Sequence, residues 1–287
     1  MGPAGGDYPR MQDLPVQFVE ANGIRHAYVE EGEGPLVLMF HGFPDTPHTW
    51  DVIRPAVAAA GFRVVTPWLR GYAPSGIPEH DTDPMTQGKD VLALVNALGD
   101  GPACVVGHDW GASLVYAAAA LEPQKIRKLV AMAIPPPAAI LPTPKILWGV
   151  RHFVTYRLPG AVERFAKGDY ADIEVMFKRW SPTWNYGPSD VEPVKEAFRQ
   201  PGCLDAALGY YRGIPLVPPA WLKNARLTMP TLVFAGKDDP IIGPSAFERG
   251  RRVTDSTYEV AAVSGGHFMH RESPDEVLAH LIPFLRA

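Results

Sequence analysis

The sequence predicts an α/β protein: a mostly parallel sheet flanked by helices and interrupted once by a helical insertion. Three observations carry this. Apolar β-type runs alternate with helical patterns as far as Ala133, a rhythm that argues for parallel strands buried on both faces. The rhythm breaks at Ile134-Pro135-Pro136-Pro137 and resumes only at Pro230. Before the break lies Gly107-His108-Asp109-Trp110-Gly111, where an apolar run (Ala103 to Val106) turns sharply into a helix-forming one (Ala112 to Leu121).

Taken in order, Val16 to Glu20 and His26 to Glu30 read as an antiparallel pair turned at Asn22-Gly23. Leu36 to Phe40 is a buried strand ending at His41-Gly42. A helix is expected from Thr49 to Ala60, then a strand from Phe62 to Thr66. Asp83 to Leu98 has helical periodicity, Cys104 to Gly107 enters the tight turn, and Ile126 to Ala133 is a further strand. The stretch from Ile134 to Leu222 is rich in Trp, Tyr, Phe, Arg and Pro with helical patterns. Strands follow at Thr231 to Ala235 and Thr257 to Val263, and a last helix at Pro274 to Leu285. The expected organisation is a first core part at 13–134, a helical cap at 135–222 and a second core part at 223–287, with the cap lying over the site as a lid.

Composition narrows the function. The chain has 287 residues, 46% hydrophobic and 20% charged, which describes a soluble globular protein with a substantial core. A net charge of −4 without a basic cluster gives no case for nucleic acid or an anionic membrane. No run approaches the ~18 apolar residues of a membrane span. Met1 to Gly6 show no basic start or apolar stretch of a signal peptide, so a cytoplasmic protein is expected. A homodimer is allowed for among its partners. Two cysteines cannot build a disulfide framework, and Cys104, inside an apolar strand, reads as a buried structural thiol.

The five residues from Gly107 to Gly111 carry the chemistry. Small residues two before and two after a central residue, at a strand-to-helix junction, make a nucleophile elbow. Its central residue here is Asp109. A carboxylate attacking carbon forms an ester that water must release. Two loops supply the rest in chain order. Gly236-Lys237-Asp238-Asp239-Pro240 offers an acid, with Asp239 favoured because Pro240 follows it and Asp238 as the alternative. Gly265-Gly266-His267-Phe268 offers the base, which a buried carboxylate would orient. In His41-Gly42-Phe43-Pro44 the backbone N–H of Phe43, with that of Trp110, would form an oxyanion hole. Nucleophile, acid and histidine in this order are expected of the α/β-hydrolase fold.

Together with Arg70-Gly71-Tyr72-Ala73-Pro74-Ser75, these motifs resemble the α/β-hydrolase-fold epoxide hydrolases, from about Val16 to the C-terminus. The resemblance implies two lid side chains that hold the epoxide oxygen. One is the Tyr of an aromatic-Tyr-Arg motif, here Tyr211 in Tyr210-Tyr211-Arg212. The other lies eight residues before the Gly of a Pro-Gly pair, usually a Tyr. Pro159-Gly160 places His152 there, with Phe153 and Tyr156 as neighbours that a register shift would select. The resemblance thus implies conversion of an epoxide to a diol with water, and no metal or organic cofactor.

Duller readings exist for each residue. Asp109 could cap a helix, Trp110 and Tyr211 could be core, and His26, His48, His80, His108 and His280 read as structural or exposed. The segment at Pro74 and Ser75 reads as a loop shaping the core, and His267 with His270 lacks a metal motif. The nearest rival reaction is a dehalogenation on the same Asp, His and Asp. Phe43, where many haloalkane dehalogenases carry Asn, and the Tyr211 donor favour the epoxide. A catalytically silent binding module is the remote alternative, and an esterase is disfavoured because Asp attack on an acyl carbon gives an anhydride. Trp148, Phe153, Trp180, Trp184 and Tyr210 are expected to make an aromatic lid for an apolar or aryl epoxide.

Overall fold

The structure, a computed structural model, describes residues 11–78, 82–141, 143–215 and 219–287. His80 and the first ten residues, on which the leader reading falls, lie outside these. Eight strands form one sheet: β1 (Gln17–Ala21), β2 (Ile24–Glu31), β3 (Leu36–Phe40), β4 (Arg63–Pro67), β5 (Ala103–His108), β6 (Ile126–Met132), β7 (Thr231–Gly236) and β8 (Tyr258–Val263). Their order is β1-β2-β4-β3-β5-β6-β7-β8. β1 and β2 pair antiparallel, β2 runs antiparallel to β4, and every later pairing is parallel.

Local chemistry explains these elements. Asn22 and Gly23 both have positive φ (47° and 78°), as a two-residue hairpin turn requires. The central strands alternate perfectly between two cores. Leu38, Phe40, Val105, Leu129, Ala131 and Val233 face one, and Val37, Met39, Cys104, Val106, Val130 and Leu232 face the other. Both faces are therefore dry, which is why these strands read as continuous apolar runs. Helix α2 (Pro84–Leu98) starts where Asp83 accepts hydrogen bonds from the Met85 and Thr86 N–H groups.

The expected helix at Thr49 to Ala60 is divided into a 3₁₀ turn (Pro47–Trp50) and α1 (Ile53–Ala59). Sequence reasoning also missed a short helix (Pro244–Glu248) and a 3₁₀ turn (Arg249–Val253) between β7 and β8. Between β6 and β7 the chain forms helices, among them His152–Thr155, Asp172–Trp180, Pro188–Arg199 and Cys203–Gly213. In Asp172–Trp180 the buried residues Ile173, Met176, Phe177 and Trp180 make one apolar stripe.

Topology brings the site together. β3 lies between β4 and β5, so the strand order reverses beside it, where open α/β sheets place ligands. Phe40 is opposite Gly107, so the loops beginning at His41 and Asp109 leave the sheet side by side. Gly236 is opposite Val263, which does the same for the loops that carry Asp239 and His267.

Candidate active site

Asp109 sits between β5 and α3 (Trp110–Leu121) at φ 52°, ψ −114°, a conformation that costs an L-residue of order 1–3 kcal/mol. The flanking glycines are what the turn requires. A Cβ on Gly107 would lie 2.2 Å from the Gly111 carbonyl oxygen, and one on Gly111 2.1 Å from that of Phe40. The Asp109 side chain makes no capping hydrogen bond to α3, which removes the helix-cap reading. Its Oδ1 accepts from the Phe43 backbone N–H at 2.9 Å, and its Oδ2 lies 3.3 Å from His267 Nε2. Trp110 is the first residue of α3, so its N–H has no acceptor within the helix.

On its other side, His267 Nδ1 is 3.5 Å from Asp239 Oδ2. Asp239 is buried and its Oδ1 accepts from the Ile241 and Ile242 N–H groups at 2.7 and 3.0 Å. Asp238 is exposed and accepts instead from Gly265 N–H. Between the two aspartates the geometry thus favours Asp239. Burial, the largest influence, opposes a charge on His267, but the hydrogen bonds and charges of Asp109 and Asp239 outweigh it and hold the imidazole up at about 9. Asp109 is held below the usual carboxylate range: burial opposes its charge, and the His267 hydrogen bond and charge overcome that.

Side chains of the helical segment reach this set. Tyr211 is 1% exposed, with its ring edge-on to Phe43 at 5.2 Å and to Trp110 at 5.1 Å. Tyr210 points elsewhere, its hydroxyl donating to the Arg70 carbonyl at 2.7 Å. His152 lies 5.5 Å from the Tyr211 ring and 5.1 Å from Trp180, and its Nδ1 has no hydrogen-bond partner among the described residues. Burial drives its pKa down to about 4, so the ring is neutral, although Asp109 pulls the other way. Tyr156, the neighbour that a register shift would select, has its hydroxyl on Met176 Sδ at 3.1 Å.

The aromatic lid needs correcting. Trp148 is 71% exposed, with the Arg151 guanidinium 4.5 Å over its ring. Trp184 packs on Phe177 and Phe268, and Tyr210 is tied to Arg70. Phe153, stacked with Trp110 at 6.3 Å, and Trp180, 5.2 Å from the His267 ring, face the set, and the Tyr210 ring meets Trp110 edge-on at 5.5 Å.

The structure also assigns work to residues the sequence did not single out. His267 N–H donates to the Trp180 carbonyl at 2.9 Å and Phe268 N–H to Ser181 Oγ at 2.8 Å, so the helical segment itself holds the histidine loop. No local pattern could reveal a contact between segments so far apart. His41 donates from Nδ1 to Gly42 O and accepts from Leu69 N–H at Nε2, which fixes its neutral tautomer; burial takes its pKa to about 3. The Arg70 to Ser75 motif is a buttress. Arg70 makes two contacts to Asp90 (2.6 and 2.8 Å), Tyr72 packs edge-on to His41 at 4.7 Å, and Ser75 bridges Ala27 N–H and Trp68 O. His26 and His108 are buried, His48 pairs with Asp51 at 3.0 Å and His280 is exposed; Cys104 and Cys203 are buried free thiols. No helix among the described residues is long and apolar enough to cross a membrane.

Known proteins resemble the whole chain. The alpha/beta hydrolase fold family matches residues 35–274. An AB hydrolase superfamily protein of Bacillus subtilis, YfhM, is 28% identical over 96% of this chain and 99% of its own. Epoxide hydrolase A of Mycobacterium tuberculosis is 28% identical over 94% of this chain and 96% of its own. Among solved structures, epoxide hydrolase A from Mycobacterium thermoresistibile superposes with a TM-score of 0.81 at 28% identity, covering 96% of this chain and 98% of that one. With this family match spanning both halves of the sheet and the elbow between them, the chain belongs to the α/β-hydrolase fold family.

Proposed function

We propose that the protein is an epoxide hydrolase that opens its substrate through an ester on Asp109. The observation that carries this reading is the division of labour between the two Asp109 oxygens, with the Tyr211 ring packed on the neighbouring Phe43 and Trp110. Oδ1 is engaged by the Phe43 N–H and Oδ2 faces His267. In this scheme Oδ2 attacks an epoxide carbon, the carbon–oxygen bond of the ring breaks, and Tyr211 with His152 stabilises and protonates the departing oxygen. Both rings are held neutral by burial and so can donate a hydrogen bond.

The ester changes the electrostatics of the base. It removes the Asp109 charge, one of the two that hold the His267 pKa at about 9. His267 then gives up its proton, which returns to the donor that protonated the epoxide oxygen, and its neutral form, oriented by Asp239, takes a proton from water as the water attacks the ester carbonyl. The Oδ1 carbon–oxygen bond is already directed at Phe43 N–H, and Trp110 N–H is the second donor for the charge that develops there. The diol departs and Asp109 is restored. Residues 135–222 act as the cap, supplying Tyr211, His152, Phe153 and Trp180 to the pocket between 13–134 and 223–287.

The similar epoxide hydrolases of two mycobacteria support the substrate class, and Phe153 and Trp180 fit an apolar or aryl substituent. The test is a panel of aliphatic and aryl epoxides and haloalkanes, assayed for diol and for halide, with Asp109→Ala as control. Diol formation from at least one epoxide, absent in the variant, is expected. Halide release without diol would overturn the reading in favour of dehalogenation.

A further inference from the structure

Beside the elbow, three enclosed side chains outside the reacting set converge. Asp45 comes from the loop after β3, His108 from the end of β5 and His270 from the short helix Met269–Glu272. All three are 0% exposed, and each offers a ligand atom within 4.8 Å of the others. Asp45 Oδ2, His108 Nδ1 and His270 Nδ1 have no hydrogen-bond partner among the described residues. An orphaned buried polar atom costs about 1–3 kcal/mol, so three facing one another call for an occupant.

The tautomers say what kind. His108 Nε2 faces the His267 carbonyl oxygen at 3.0 Å, which only accepts, so Nε2 carries the proton and Nδ1 presents a lone pair. Thr49 Oγ1 lies 2.5 Å from His270 Nε2, and with the proton on that nitrogen His270 also presents its Nδ1 lone pair to the cluster. In these tautomers the two imidazole lone pairs and the carboxylate oxygen are all acceptors and cannot satisfy one another. One water donates only two protons; a cation satisfies all three. Outer N–H groups bound to a carbonyl and a hydroxyl are also the support that histidine ligands of metals usually have.

We propose that Asp45, His108 and His270 bind one zinc-type divalent ion, which ties the Phe43 loop, the elbow strand and the His267 loop together. Two imidazoles with a carboxylate suit such an ion better than Mg²⁺ or Ca²⁺. Zinc bonds of about 2.0–2.2 Å put donors about 3.5 Å apart, so the cluster closes by about 1 Å on binding. Asp45 keeps Oδ1 for Thr46 N–H at 2.8 Å and for Arg271, 3.7 Å away. The Arg271 charge is offset by Asp190 at 2.6 Å. The ion touches no reacting atom and acts as a structural clip, independent of the epoxide reading. Its ligands come from three segments far apart in the sequence, so no sequence motif announces it.

The test uses the full chain, produced with zinc in the growth medium and purified without chelator or metal resin, followed by titration of the chelator-stripped protein with Co²⁺. One equivalent of metal is expected, with a raised unfolding temperature and an X-ray absorption spectrum showing two imidazoles and a carboxylate. His270→Gln and Asp45→Asn should weaken binding at least tenfold, and His280→Gln, at an exposed site, should leave it unchanged. No saturable binding to the wild type, a zinc shell without two imidazoles, or unchanged affinity in both variants would overturn the site and leave water as the occupant. The absorption spectrum needs no variant, so it decides the matter even if a substituted chain fails to fold.

Discussion

At the scale of the residue, the account turns on charge that changes hands between Asp109, His267 and Asp239. Two carboxylates flank one imidazole, at 3.3 and 3.5 Å, and together they overcome its burial. Asp239→Asn removes one of them. The His267 pKa, followed by NMR of the imidazole, should then fall well below its value of about 9 in the unaltered chain. An unchanged pKa would mean that Asp239 does not share the proton. Tyr211→Phe keeps the packing against Phe43 and Trp110 but removes the hydroxyl, and ring opening should slow roughly 10²-fold or more, the range of a positioned acid. His152→Gln should slow it less if Tyr211 carries most of the proton transfer. Pre-steady-state ester formation is the measurement for both.

At the scale of the element, the elbow is a strand end and a helix start pressed too close for side chains. Gly111→Ala puts a Cβ 2.1 Å from the Phe40 carbonyl oxygen, and the start of α3 must move away from the end of β3 to admit it. A loss of about 3 kcal/mol in urea unfolding is expected, against about 0.5 kcal/mol or less for Gly101→Ala, whose Cβ meets nothing within 4 Å. Equal losses would mean that the turn is not strained for space. This is also where the sequence was most legible. A glycine that must be a glycine leaves a mark at a fixed spacing, and so did Asn22-Gly23 and the alternating central strands. Contacts between distant segments left none. Trp180 O and Ser181 Oγ hold the His267 loop from the other side of β7, and nothing near either residue foretells it. Trp148 shows the converse error: an aromatic residue in a helical pattern suggested a pocket wall, and it faces outward.

At the scale of the molecule, buried histidines of opposite habit shape the pH range of stability. His41 and His152 are neutral in the fold, with pKa values of about 3 and about 4, below the ~6.5 of an unfolded chain. Stability is therefore lost as pH falls below ~6.5, by at most about 1.4 kcal/mol per pH unit for each. His267 has the opposite sign. Its folded pKa of about 9 gives a contribution fully present below ~6.5 and lost as pH rises through about 9. Denaturant midpoints should therefore peak near pH 6.5, and His267→Gln should flatten the alkaline limb. A wild-type limb as flat as that of the variant would contradict the charge assigned to the histidine.

The central claim is that a carboxylate in the elbow becomes an ester and that His267 is needed to release it. Its most direct test is mass spectrometry of His267→Gln after a single exposure to an epoxide that the wild type converts. The peptide containing Asp109 should gain the full mass of the epoxide, since ring opening loses no atoms, whereas a displaced halide would leave a lighter adduct from a haloalkane. Finding the adduct on Asp109, absent in Asp109→Ala, is the predicted result. An unmodified Asp109 in a variant that has stopped making diol would contradict the account, because water would then be attacking the epoxide without any ester between.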